Sequence, residues 1–72
     1  MPARFSAFKR AIETLGGTVI EPNSGSHWKV RINGRMYPIP AHNGLRTELS
    51  DRWIDGACRS LGIDKETLRA LL

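Results

Sequence analysis

Residues 27–40 read His27-Trp28-Lys29-Val30-Arg31-Ile32-Asn33-Gly34-Arg35-Met36-Tyr37-Pro38-Ile39-Pro40, two β-prone runs on either side of Asn33-Gly34. Asn-Gly is the preferred pair for a two-residue type I′ hairpin, whose central residues both need positive φ. The turn fixes the register. With Ile32 opposite Arg35, the pairs continue as Arg31 with Met36, Val30 with Tyr37, Lys29 with Pro38, Trp28 with Ile39 and His27 with Pro40. Opposed residues share a face. Trp28, Val30, Ile32, Tyr37 and Ile39 therefore form the core face, and His27, Lys29, Arg31, Met36, Pro38 and Pro40 the solvent face. Pro38 fits this register. Bonded and non-bonded pairs alternate from the turn, so its missing N–H falls at a non-bonded pair, pointing outward. The second strand is then a sheet edge, and residues 18–21 are expected to pair with the other side of the first.

On the N-terminal side, Phe5, Phe8, Ile12 and Leu15 recur at three- and four-residue spacing, predicting an amphipathic helix over 3–15 that Gly16-Gly17 closes. Thr18, Val19 and Ile20 are β-branched and run into the turn cluster Pro22-Asn23-Ser24-Gly25. On the C-terminal side, a loop through Ala41-His42-Asn43-Gly44 leads to Ser50, a helix cap with Asp51 in the first turn. Trp53, Ile54, Ala57, Cys58 and Leu61 make one stripe of that helix, and Gly62 ends it. Gly56 inside it either permits close packing or marks a weak spot. Asp64 caps a last short helix carrying Leu68, Leu71 and Leu72. The fold class expected is α+β, in the order α-β-β-β-α(-α), with a three-stranded antiparallel sheet whose helices pack on one face. His27, Lys29 and Arg31 lie on the other.

At 72 residues with 40% hydrophobic content, the chain has material for one core, and residues 1–72 are read as a single domain. Trp28, Trp53, Phe5 and Phe8 are expected inside: the two tryptophans read either as base-stacking rings or as core, and period-two and helical spacing respectively favour core. A single cysteine, Cys58, makes no internal disulfide, and nothing near Met1 resembles a signal peptide or membrane span. A cytoplasmic location without membrane association is expected. The net charge is +4, and no acidic residue falls between Glu21 and Glu48, where Lys29, Arg31, Arg35, Arg46, His27 and His42 all lie. That clustering is the electrostatic footprint of a phosphate-binding surface.

Gly25-Ser26-His27, the aromatic Trp28 that opens the strand, and Ile39-Pro40-Ala41-His42 together resemble the HicA (YcfA-like) toxin family. The likeness runs from the helix ending in Gly16-Gly17 to Leu61-Gly62-Ile63 and Leu68-Leu71-Leu72. Where that family usually begins its second helix with a Gly-Thr step, Ser50-Asp51-Arg52-Trp53 stands here. The resemblance implies a fold like the double-stranded-RNA-binding domain. It also implies an mRNA interferase of a type II toxin–antitoxin module, with His27 as its histidine and a HicB-type antitoxin as partner.

Metal-free RNA cleavage uses the 2′-hydroxyl as internal nucleophile, a base, an acid for the leaving oxygen, and cations for the phosphoryl charge. Imidazole is the side chain suited to exchange protons near neutral pH, so His27 serves as base or acid. Lys29 and Arg31 sit at alternate positions of one strand, roughly 7 Å per two-residue step, a spacing that suits successive phosphates. His42 lies two residues past Pro40, the partner of His27. It reads either as the complementary proton carrier or as a loop residue satisfying backbone groups near Asn43-Gly44. Ser26 reads as a positioning or backbone-bonding residue and not as a nucleophile, and Gly25 serves the turn and gives phosphate access to backbone N–H groups. Arg35 and Arg46 either extend the phosphate path or are solvated charges. Two histidines and a cysteine in separate elements make no zinc signature, so neither metal nor other cofactor is expected. The alternative function is a catalytically inactive RNA-binding or protein-interaction module of the same fold.

Overall fold

The computed structural model describes residues 3–23 and 27–72. Its longest strands are the hairpin, β3 (His27–Ile32) and β4 (Arg35–Pro40), and all six expected pairs are present from Ile32 with Arg35 to His27 with Pro40. The turn has φ of 56° at Asn33 and 73° at Gly34, the two positive values a type I′ turn demands. Strand β2 (Thr18–Ile20) pairs antiparallel with the other side of β3, giving the order β2-β3-β4. Its register sets Thr18 opposite Arg31, Val19 opposite Val30 and Ile20 opposite Lys29.

Helix α1 (Phe5–Thr14) buries Phe5, Phe8, Ala11 and Ile12, and helix α2 (Asp51–Leu61) buries Ile54, Ala57, Cys58 and Leu61. Both lie on the sheet face that carries Val30, Ile32 and Ile39, so one core joins helices and sheet. α1 packs along β2 and α2 along β4. Each fully buried large apolar side chain contributes roughly 1.5–3 kcal/mol, and α1 and α2 supply most of them.

The ends of α2 show why it sits where it does. Ser50 Oγ accepts from Trp53 N–H at 3.1 Å, and Gly62 closes the other end at φ 69°. The last carbonyls of a helix have no partner within it. Here the hairpin provides donors: Asn33 Nδ2 donates to Leu61 O at 2.9 Å, and Arg35 donates to Ser60 O at 3.2 Å. The tip of the β3–β4 hairpin is thus fastened to the C-terminus of α2. Helix α3 (Lys65–Ala70) is capped by Asp64, which accepts from Thr67 N–H at 3.0 Å. Arg69 reaches back from α3 to Asp51 and Asp55 of α2, at 3.2 and 3.1 Å.

Four expectations are corrected. Residues 3–4 are not helical: Ala3–Arg4 forms a short strand, β1, paired antiparallel with β5 (Glu48–Leu49) in a separate two-stranded sheet. Arg4 offers α1 no side-chain cap, and the orphan N–H of Phe5 instead donates to Thr47 O at 2.8 Å. The connection after β4 is not plain loop, since it holds a 3₁₀ turn (Gly44–Arg46) and β5. In α3 only Leu68 is buried, while Leu71 and Leu72 are exposed beyond its end. Trp28 and Trp53 are half-buried rather than enclosed. Trp28 meets Phe5 edge-on at 5.0 Å between centroids, and Trp53 meets Phe8 at 5.2 Å and Tyr37 at 5.6 Å.

Two glycines have opposite standing. A Cβ at Gly17 would lie 2.7 Å from Ile12 Cγ2 and 3.0 Å from both Arg31 O and Ile32 Cβ, so this residue lets α1 turn tightly onto β3. A Cβ at Gly56 would meet only Tyr37 Oη at 3.5 Å, an ordinary contact. Gly56 is the weak spot of α2 and not a packing requirement. Gly56→Ala is expected to raise stability by about 0.5–1 kcal/mol and Gly17→Ala to lower it by about 1–3 kcal/mol, as read from urea midpoints at constant slope.

Candidate functional site

The sheet face opposite the helices is open. His27, Lys29 and Arg31 from β3, Met36, Pro38 and Pro40 from β4, and Thr18 and Ile20 from β2 share it, and all eight are exposed. Its strand pairing follows from the Asn33–Gly34 turn, and its freedom from the apolar helices having gone to the other side. Among the described residues neither Lys29 nor Arg31 has a carboxylate partner. Three helix carboxylates are engaged elsewhere: Glu13 pairs with Lys9, and Asp51 and Asp55 with Arg69. Positive charge on the open face is therefore not neutralised locally. Exposed Ile20 and Met36 lie beside these cations, so the face is apolar as well as basic.

At the end of β4 the surface hollows into a pocket of about 410 Å³ lined by His27, Pro38, Ile39, Pro40, His42 and Trp53. The two histidines thus meet on one concavity. His27 arrives there because it pairs with Pro40. His42 is held by the loop that follows: Ala41 is buried, and its N–H donates to Ile39 O at 2.9 Å. The next residue, Asn43, gives its N–H to Thr47 Oγ1 at 2.9 Å, and Thr47 is itself buried. Backbone groups near Asn43–Gly44 are thereby satisfied by Thr47, and the exposed His42 side chain is not used for it. Neither imidazole makes a side-chain hydrogen bond among the described residues.

The other expected residues divide. Gly25 and Ser26 lie outside the described residues. Arg35 is on the helical face opposite Lys29 and Arg31, where its guanidinium donates to Ser60 O. It follows Ile32 in the register, so the pairing that places Arg31 on the open face removes Arg35 from it. Arg46 sits in the 3₁₀ turn, which packs against α1. Cys58 is buried in α2, where burial first and the nearby Asp55 carboxylate second push its thiol above the ordinary value. Among the described residues no three His, Cys, Asp or Glu side chains stand together as metal donors, and no helix is long and apolar enough to cross a membrane.

Trp53 lines the pocket although its helical spacing assigns it to the core. Its place in the apolar stripe of α2 points to the core, and one side of the ring does pack there. The remaining side is left open because Trp53 stands in the first turn after Ser50, at the margin of the helix–sheet contact. A large aromatic so near a helix start was the available signal.

Compared with models of protein families, with curated proteins and with solved structures, the chain matches none.

Because the Cys58 thiol is both enclosed and held protonated, alkylation of the native protein at neutral pH is expected to run roughly 100-fold or more slower than in denaturant. Labelling at equal rates in the two states would place Cys58 at the surface.

Proposed function

We propose that the chain is a HicA-like, metal-independent endoribonuclease acting on mRNA. The observation that carries this reading is the convergence of His27 and His42 on one pocket beside a sheet face whose cations, Lys29 and Arg31, have no carboxylate partner among the described residues. The strand order and one-sided helices are compatible with a fold like the double-stranded-RNA-binding domain. The Gly25-Ser26-His27 and Pro40-Ala41-His42 strings support the family assignment.

In this reading Lys29 and Arg31 receive phosphates of the RNA strand, and their side chains offset charge that builds on the phosphoryl oxygens. One imidazole removes the proton of the 2′-hydroxyl. The 2′-oxygen then bonds to phosphorus as the bond to the 5′-oxygen breaks, and the other imidazole protonates that leaving oxygen. The products are a 2′,3′-cyclic phosphate and a free 5′-hydroxyl. His27 is the first choice for a proton carrier because it stands on the strand with the cations, and His42 complements it across the pocket. Exposed Ile20 and Met36 beside the cations fit a protein cover, the role assigned to a HicB-type antitoxin. Those same two residues favour, as the second reading, a catalytically inactive RNA-binding or protein-interaction module.

Purified protein in a chelator is expected to cleave RNA, leaving cyclic phosphate ends, and His27→Ala to lower the rate at least about 100-fold. His42→Ala is expected to lower it similarly if two imidazoles share the work. Lys29→Ala and Arg31→Ala weaken RNA binding and flatten its salt dependence by about one counterion each, with the fold intact by circular dichroism. Folded protein that binds but does not cleave RNA would establish the second reading instead.

A further inference from the structure

The pocket holding the two histidines is more than a place for proton transfer. Apart from the two histidines, it is lined by Pro38, Ile39, Pro40 and Trp53, all apolar residues. Such flat apolar surfaces have no use for a phosphate. They suit a planar ring, and about 410 Å³ lies within the range of roughly 300–1,000 Å³ usual for small-ligand pockets.

The edge of β4 narrows the choice of occupant. Bonded and non-bonded pairs alternate from the turn, so Met36, Pro38 and Pro40 direct their backbone groups away from β3 toward the free edge. Two of those three are prolines and have no N–H. Beside the pocket the edge therefore offers carbonyl acceptors without amide donors, which defeats pairing by an added peptide strand. A nucleobase needs no such ladder. Its faces stack on the indole and proline rings, and its polar rim meets the carbonyls that the β4 edge turns outward. Lys29 and Arg31 continue from His27 along β3, roughly 7 Å per two-residue step, a spacing close to that of phosphates along an extended strand. A base in the pocket and its neighbouring phosphates on the cations thus belong to one chain.

We propose that this pocket is a nucleobase subsite, and that it makes the protein select unpaired RNA over A-form duplex. The inference rests on the RNA-binding reading given above, and supplies its substrate class. A paired base is stacked and hydrogen-bonded within its helix and cannot enter, whereas an unpaired one can be splayed out onto an aromatic side chain. The surface thereby departs from recognition of duplex shape, even though the strand order resembles a fold that reads duplexes.

The test uses the full-length wild-type chain and a fluorescent 12-nucleotide strand with 2′-O-methyl riboses, which removes the nucleophile and keeps the probe intact during binding. Fluorescence anisotropy compares this strand with one of equal charge that carries abasic sites throughout, and with the same strand annealed to its complement. The expected result is affinity for the intact strand roughly tenfold or more above both the abasic strand and the duplex. In a Trp28→Phe background the only indole is Trp53, and its emission is expected to change with the intact strand and not with the abasic one. Equal affinity for intact and abasic strands overturns the subsite and leaves a phosphate-binding surface, so the RNA reading survives. Tighter binding of the duplex also overturns it. Failure to bind any of the three overturns the RNA reading and the subsite together.

Discussion

Everything that distinguishes the two sides of this molecule depends on the turn at Asn33–Gly34. Both residues take positive φ, at 56° and 73°, and a turn of that hand leaves β3 and β4 one way to pair. Because strand side chains alternate with a period of two, a shift of one residue would carry the whole apolar row to solvent and His27, Lys29 and Arg31 into the core. Burial of Val30, Ile32 and Ile39 opposes that shift from one side, and the cost of enclosing unpaired cations opposes it from the other. Local backbone geometry and global burial select the same register, which is the consistency that makes a short chain fold to one state.

The same turn also orients the helices. Asn33 and Arg35 donate to carbonyls at the end of α2, Leu61 O and Ser60 O, so the hairpin tip and the helix terminus satisfy one another. Arg69 then binds α3 to α2 through Asp51 and Asp55. These polar ties are exposed or half-buried, so each is a modest contributor; the apolar burial of α1 and α2 against Val30, Ile32 and Ile39 is what holds the helices on one face of the sheet. The opposite face is left to the strands alone. At its end the β4 chain runs into a loop braced by Ala41 and Thr47, which brings His42 beside His27.

Much of this was legible in the residues. The hairpin register, the two helix caps at Ser50 and Asp64, the stop at Gly62 and the open face follow from short-range rules about turns, caps and alternation. What escaped was set by contacts distant in sequence. A two-residue strand such as Ala3–Arg4 has no periodicity to read, and exists because Glu48–Leu49 comes alongside. Arg35 is different: its pairing with Ile32 already sets it on the core face, and only its charge groups it with the basic stretch, so the register that frees Arg31 turns Arg35 toward α2. His42 illustrates the opposite case. Nothing in Ala41-His42-Asn43 requires it to approach His27; the bracing by Thr47 five residues later decides it. The half-open position of Trp53 likewise depends on how far α2 overlaps β4, which its own stripe of apolar residues does not specify.

The central claim is that the helix-free face of the sheet and the adjoining histidine pocket form one RNA-binding surface. Amide and indole nuclear magnetic resonance signals of the labelled protein, followed during titration with a non-cleavable RNA strand, test it most directly. The account predicts that the perturbed signals cluster at His27, Lys29, Arg31, Met36 and His42 and at the indole of Trp53, with Arg10, Glu13 and Arg59 on the helical side unmoved. Perturbation centred on the exposed sides of α1 and α2, with the sheet face silent, would contradict it.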